Sequence, residues 1–218
     1  METKQIIAEL LDIKERVDGL LTRLEPPETL AEATVASVSR EIPFGAKVSP
    51  QFKASVLWIE EQIGLKADHL MPCMAFETGG TFSPTVKNLA GSSGLGLIQF
   101  MSFTHAAMVK AFPQLKASAP RHADLAKLTA VQQLGWVYWY FRQFGSDFSH
   151  YTLEDCYMTI LFPKAVGKPL DWPMPWKYGS LAYKQNAGLD LNKDHVITKA
   201  EASAGVRKQL QIGLQFKG

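Results

Sequence analysis

Residues 68–101, DHLMPCMAFETGGTFSPTVKNLAGSSGLGLIQFM, decide how this chain reads. The first part has the composition of a short apolar helix with one acid, Glu77, close to its C-terminal end. Gly79 and Gly80 stop that helix, because glycine takes the left-handed cap conformation at little steric cost. A loop of glycine and serine follows and closes on Gln99. Met71, Met74, Phe76 and Phe82 lie around Glu77, so its carboxyl is expected to be desolvated on at least one side. Desolvation disfavours the charged form and raises a carboxyl pKa, which suits a general acid near neutral pH. The competing reading is a glutamate in the last helical turn that points into water.

The chain after Glu77 is informative for what it lacks. Residues 78–123 contain no Asp and no Glu, while Lys87, Lys110, Lys116 and Arg121 fall inside that span. Most glycosidases place two carboxylates across the bond they cut, one as acid and one as nucleophile or base. Glu77 has no such partner on the stretch that follows it. Either a second acid arrives from far away in sequence, or the substrate supplies its own nucleophile.

FETGGTFSP followed by SSGLGLIQF resembles the soluble lytic transglycosylases, in their phage cell-wall-lysin branch, a goose-type lysozyme-like family. The family pattern of Glu-Ser/Thr, a Phe-x-Pro turn and a glycine-rich Gly-Leu-x-Gln is matched by Glu77-Thr78, Phe82-Ser83-Pro84 and Gly96-Leu97-Ile98-Gln99. A third patch, YMTILFPKAVGKP at residues 157–169, is similar to the late segment that carries a tyrosine facing the acid. The resemblance covers roughly residues 50–169. Ser93 stands where many members have the first glycine of the loop, and the common Ala-Tyr-Asn-x-Gly form of the third motif is absent. The resemblance implies a mostly α, lysozyme-like domain with a small loop or hairpin region. It implies Glu77 as catalytic acid, Tyr157 as the group that orients it, and Ser93, Gly94, Gly96, Gln99 and Phe100 as the lining of a sugar groove. The implied activity is cleavage of the bond between N-acetylmuramic acid and N-acetylglucosamine in bacterial peptidoglycan, giving 1,6-anhydromuramyl ends without a catalytic cofactor.

With 218 residues and 46% apolar content, the chain can bury a proper core, and its length suggests one main domain with appendages. A net charge of +2 is too small to argue for nucleic-acid binding. Two cysteines, Cys73 and Cys156, make no disulfide framework and are expected as buried free thiols. The opening METKQIIAELLDIKERVDG is charged every few residues, so no signal peptide is expected. No later segment reaches the roughly 18 apolar residues of a membrane span. The expectation is a protein of the host cytoplasm or the virion, brought to periplasmic peptidoglycan by a holin or by the particle itself.

Ile6, Leu10, Ile13, Val17, Leu20 and Leu24 alternate four and three apart, a heptad seam that lasts under three heptads. Residues 1–25 therefore read as an amphipathic helix that either oligomerises the chain through 6–24 or docks on the domain. Pro26 and Pro27 break it, and residues 26–48 read as a linker, with one weak helix at 29–39. The domain is expected to span 49–218. Ser49-Pro50 gives a cap and a first helical proline, with Gly64 ending the run. Further helices are expected at 66–78, 104–112, 129–144 and 153–162. In the third of these, Val131, Leu134, Val137, Tyr138 and Phe141 suit a core. Trp136, Trp139 and Tyr140 suit either core or a sugar groove, the core being favoured. Thr152 with Asp155 resembles a capping start, which makes Glu154 and Asp155 cap residues before catalytic acids.

The C-terminal stretch DLNKDHVITKAE, residues 190–201, carries an independent signal. It follows the EF-hand calcium loop, with Asp190, Asn192, Asp194, Thr198 and Glu201 at oxygen-ligand positions and the Val196 carbonyl between them. Ile197 occupies the position that packs inward. His195 stands where the sharp turn favours glycine. A structural Ca2+ there would pin the last helix, expected at 201–210. Two other functions remain open at this level: a hydrolytic muramidase or chitinase-type enzyme using water held by Glu154, Asp155 or Asp147, and a virion structural protein assembled by its heptad helix.

Overall fold

The computed structural model describes residues 40–88 and 92–218. The heptad helix, the weak helix at 29–39 and oligomerisation through 6–24 lie outside the described residues. Helix α1 (Pro50–Ile63) starts on the Ser49 hydroxyl, which accepts from the Phe52 N–H at 3.2 Å, and stops at Gly64 with φ 70°. Cap chemistry is local, so this element follows directly from its sequence.

Helix α2 (Ala67–Glu77) runs through the middle of the fold. Leu70, Met71, Cys73, Met74 and Ala75 are all fully buried, and a helix apolar on every side has to be covered on every side. Its first N–H, on Ala67, is satisfied by the Glu60 carboxylate at 3.0 Å. Pro72 inside α2 forfeits one rung of the hydrogen-bond ladder, yet the helix continues through it.

Helix α3 (Ser102–Ala111) begins two residues before its expected start, because the Ser93 hydroxyl accepts from the Ser102 N–H at 3.0 Å. The short α4 (Leu115–Ser118) and a 3-10 segment (His122–Lys127) lead to α5 (Ala130–Arg142). Reciprocal caps start α5, through Thr129 and Gln132, and α6 (Leu153–Leu161), through Thr152 and Asp155. The remaining α-helices among the described residues are α7 (Leu181–Asn186), α8 (Lys199–Ala202) and α9 (Ala204–Gly213). The single helix expected at 201–210 is thus two helices. They break at Ser203, whose hydroxyl turns back to the Lys199 carbonyl at 2.8 Å.

Helix α2 packs against α9, α6 and α1, and α5 lies across α1. Gly205 lets α9 approach closely, since a Cβ there would come within 2.2 Å of the Phe76 ring. The domain also begins earlier than residue 49. Ile42 and Phe44 are core residues, and their N–H groups donate to the carbonyls of Gly218 at 3.1 Å and Gly213 at 3.0 Å. The expected linker therefore does not reach 48, because its last residues are tied to the far end of the chain. The described residues are mostly helical, and bridges are isolated: Lys87 with Leu95, Leu95 with Phe100, and Pro173 with Thr198. Of the expected small loop or hairpin region, the described residues show isolated bridges only. No helix among the described residues is long and apolar enough to cross a membrane.

Candidate active site

Glu77 is the last residue of α2, and the turn behind it is tightly built. The Thr78 hydroxyl donates to the Met74 carbonyl at 2.6 Å and accepts from the Phe82 N–H at 3.1 Å. Gly79 and Gly80 take φ of 61° and 79°, and a Cβ on either would meet nothing within 4 Å. The chain therefore leaves α2 sharply, with open space beside Gly79 and Gly80. Glu77 as a residue is partly exposed, and among the described residues its carboxyl makes no hydrogen bond and no ion pair. Burial alone pushes its pKa up from 4.5 to about 7, and no neighbouring carboxylate contributes to the shift. The desolvated acid expected from the sequence is present.

Two phenols lie within electrostatic reach of Glu77. Tyr157, on α6, is only 3% exposed and sets its ring edge-on to Phe76 at 5.4 Å. Burial, and then the Glu77 charge, hold its pKa well above the ordinary value. Tyr140, on α5, donates to the Thr159 carbonyl at 2.6 Å and is likewise raised by burial first and Glu77 second. Tyr157, expected as the group that orients Glu77, stands near the carboxyl without a hydrogen bond to it. Tyr140 is the neighbour that sequence reasoning missed, being one aromatic among many in TAVQQLGWVYWYFRQF. Cys73 and Cys156 are buried free thiols on α2 and α6, with their sulfurs 3.7 Å apart.

The glycine loop is held by two glutamines. Gln99, with φ 52°, donates its side-chain amide to the carbonyls of Val86 at 3.2 Å and Gly96 at 3.1 Å. Gln133 of α5 is fully buried; it accepts from the Leu97 N–H at 2.8 Å and donates to the carbonyls of Pro84 and Leu125, each at 3.0 Å. A Cβ on Gly96 would come within 2.2 Å of Gln133, and one on Gly94 within 2.8 Å of Gln99. These glycines thus admit glutamine side chains, and that packing accounts for them without a sugar. Phe100 is 2% exposed, edge-on to Trp136 and Tyr140, so its side chain belongs to the core and not to a groove lining. Ser93 is exposed, with its hydroxyl engaged by Ser102. Gln133 had one signal in the sequence, a lone amide on the face of α5 that also carries Leu134, Val137 and Phe141.

The acids named as possible partners are committed elsewhere. Glu154 pairs with Arg207 at 3.1 Å, and Asp147 accepts from the Ser149 N–H at 2.9 Å. Asp155 caps α6 and meets the buried Lys199 ammonium at 2.7 Å. Burial opposes the charge on Asp155, but Lys199 and the Gly167 N–H outweigh it and hold the pKa below the usual carboxylate value. Trp136 is buried, stacked on His105, and donates to the Ser118 hydroxyl at 3.1 Å, as the core reading of that helix expects.

The 190–201 loop meets these groups through Lys199, which pairs with Asp155. Lys193 and His195 take positive φ of 62° and 71°, and Ile197 is 1% exposed, pointing into the core. Thr198 caps α8 reciprocally with Glu201. Asn192 and Asp194 bond to one another, at 3.0 Å between side chains. Among the described residues no three His, Cys, Asp or Glu side chains are already gathered as a metal site. No family model, curated protein or solved structure matches the chain.

Proposed function

We propose that this protein is a peptidoglycan lytic transglycosylase on a lysozyme-like fold, as an endolysin or virion-associated lysin. The observation that carries the proposal is Glu77: a single carboxyl, raised to about 7 by burial, at an open helix end with no second carboxylate beside it. A group poised at that pKa is available as an acid and as a base at neutral pH.

Protonated Glu77 donates to the glycosidic oxygen between muramic acid and glucosamine. The C1–O bond breaks, and the glucosamine leaves with its 4-hydroxyl restored. The Glu77 carboxylate then takes the proton of the muramyl 6-hydroxyl as that oxygen closes on C1. The 1,6-anhydro bond forms, Glu77 ends protonated, and no water is consumed. Tyr140 and Tyr157, both kept in the phenol form, add no negative charge beside the carboxyl. Gln99 and Gln133 act by shaping the glycine loop, in which Ser93 is exposed and Gly94 is buried against Gln99. Engagement of Glu154, Asp155 and Asp147 in caps and ion pairs disfavours the two-carboxylate hydrolase.

Mass spectrometry of muropeptides released from purified peptidoglycan tests this reading. Anhydromuramyl ends, one water lighter than hydrolytic ends, are the expected product. Reducing muramyl ends would assign the activity to a hydrolase. No release at all, from folded protein, would leave the chain a structural component.

A further inference from the structure

We infer that the 190–201 loop is a calcium site that closes on its ion, independent of what Glu77 does. The motif supplies the ligand spacing, and a separate observation points to a cation. The Asp190 side chain is 4% exposed, and its Oδ1 is buried without any hydrogen-bond partner. Its other oxygen accepts from the His195 N–H at 3.0 Å, so the carboxyl points into the loop, and from the Tyr183 hydroxyl. A bare carboxylate oxygen in a buried place is costly unless a positive charge meets it. The nearest ring nitrogen, on His195, lies 4.0 Å away and bears on the other oxygen.

The surrounding ligands are at hand and only lightly committed. The Asp194 Oδ1 accepts from the Val196 N–H at 2.8 Å and the Asn192 Oδ1 from the Asp194 N–H at 2.9 Å, turns that keep both side chains on the loop. Glu201 uses Oε2 for the cap at Thr198, while its Oε1 makes only a long contact, 3.4 Å, to the Asn192 N–H. Calcium takes six to eight oxygens, including amide, hydroxyl and backbone ones. Three carboxylates need not converge beforehand: Asp190, Asn192, Asp194 and Glu201 rotate onto the ion as the Asn192–Asp194 bond opens.

The loop is anchored where an ion would count. The Ile197 carbonyl accepts from the Met174 N–H at 2.8 Å and the Lys199 N–H donates to the Trp172 carbonyl at 2.9 Å. From Glu201 the chain runs directly into α9, which lies on α2 at Phe76. A bound ion therefore fastens the segment that backs Glu77. Hard oxygen ligands spread along a twelve-residue loop favour Ca2+ over Mg2+, which demands a tighter octahedron. With His195 in the glycine position, the expected Kd is on the order of 10−4 M.

The test uses the full chain stripped with EGTA, titrated calorimetrically with CaCl2 and melted with and without it. Saturable 1:1 binding is expected, with Tm raised by about 5 °C at 10 mM Ca2+ and little response to equal MgCl2. Glu201→Gln keeps the cap on Thr198, and Asp194→Ala changes an exposed side chain. Each variant should melt as the wild type does in EGTA, and each should bind Ca2+ at least about tenfold more weakly. Absence of binding up to 10 mM Ca2+ would overturn the inference. So would an equal response to Mg2+, or an unchanged calcium response in the double variant Asp194→Ala, Glu201→Gln. If one single variant fails to fold, the other decides.

Discussion

Glu77→Gln is expected to lose about 1,000-fold or more in peptidoglycan cleavage, within the range removed with a general acid, while becoming more stable than the wild type above pH 7. Both effects have one origin. The buried carboxyl has a pKa of about 7 in the folded protein against 4.5 when solvated. Between those pH values the folded state holds a proton that the unfolded state gives up. Stability therefore falls as pH rises from about 4.5 to about 7, by up to roughly 3 kcal/mol, and stays at the lower level above that window. A neutral amide at residue 77 has no such slope. Wild type and variant should be about equally stable at pH 4 and differ most at pH 8, in urea denaturation followed by circular dichroism. The activity of the wild type should fall on the alkaline side of about pH 7, as the proton donor is lost. A variant that is inactive but less stable than the wild type at every pH would mean that Glu77 holds the fold together.

Gln133→Leu is expected to destabilise the fold by about 3–5 kcal/mol, although it replaces a polar core residue with an apolar one of similar size. The substitution strands three backbone groups at once: the Leu97 N–H and the carbonyls of Pro84 and Leu125. Each buried group left without a partner costs about 1–3 kcal/mol. Gln133→Glu keeps an acceptor for Leu97 but sets a carboxylate against two carbonyls, so it should be less damaging at pH 4 than at pH 8. Because Gln133 ties both the glycine loop and the Phe82-Ser83-Pro84 turn to α5, cleavage should fall with stability. A loss under 1 kcal/mol in Gln133→Leu would show that loop and turn are held by other means.

Local chemistry was legible in the sequence, and long-range pairing was not. Ser49, Thr129 and Thr152 each declare a helix start through bonds that span three residues, and Gly64 and Gly79-Gly80 declare the stops. The desolvation of Glu77 was legible because its helix is apolar on every side and so has to be covered, although two phenols in reach of the acid, Tyr140 and Tyr157, come from α5 and α6. Ile42 and Phe44 read as linker because their partners, Gly218 and Gly213, sit at the other end of the sequence. The glycines of the loop read as room for a sugar because nothing nearby names the glutamine, one helix away, that fills the space at Gly96. Phe100 was misplaced for the same reason, its ring being covered by residues of α5. The break at Ser203 depends on a single hydroxyl choosing the Lys199 carbonyl over solvent. Tyr157 lies within electrostatic reach of Glu77, but the direction of its hydroxyl is something no sequence pattern fixes.

The ionisation of Glu77 can be followed directly, by NMR of the side-chain carboxyl carbons in protein labelled at glutamate, with Glu77→Gln identifying the resonance. A midpoint near 7 is expected, well apart from the other glutamates. A midpoint near 4.5 would place the carboxyl in ordinary solvent contact and remove the basis for a lone proton donor.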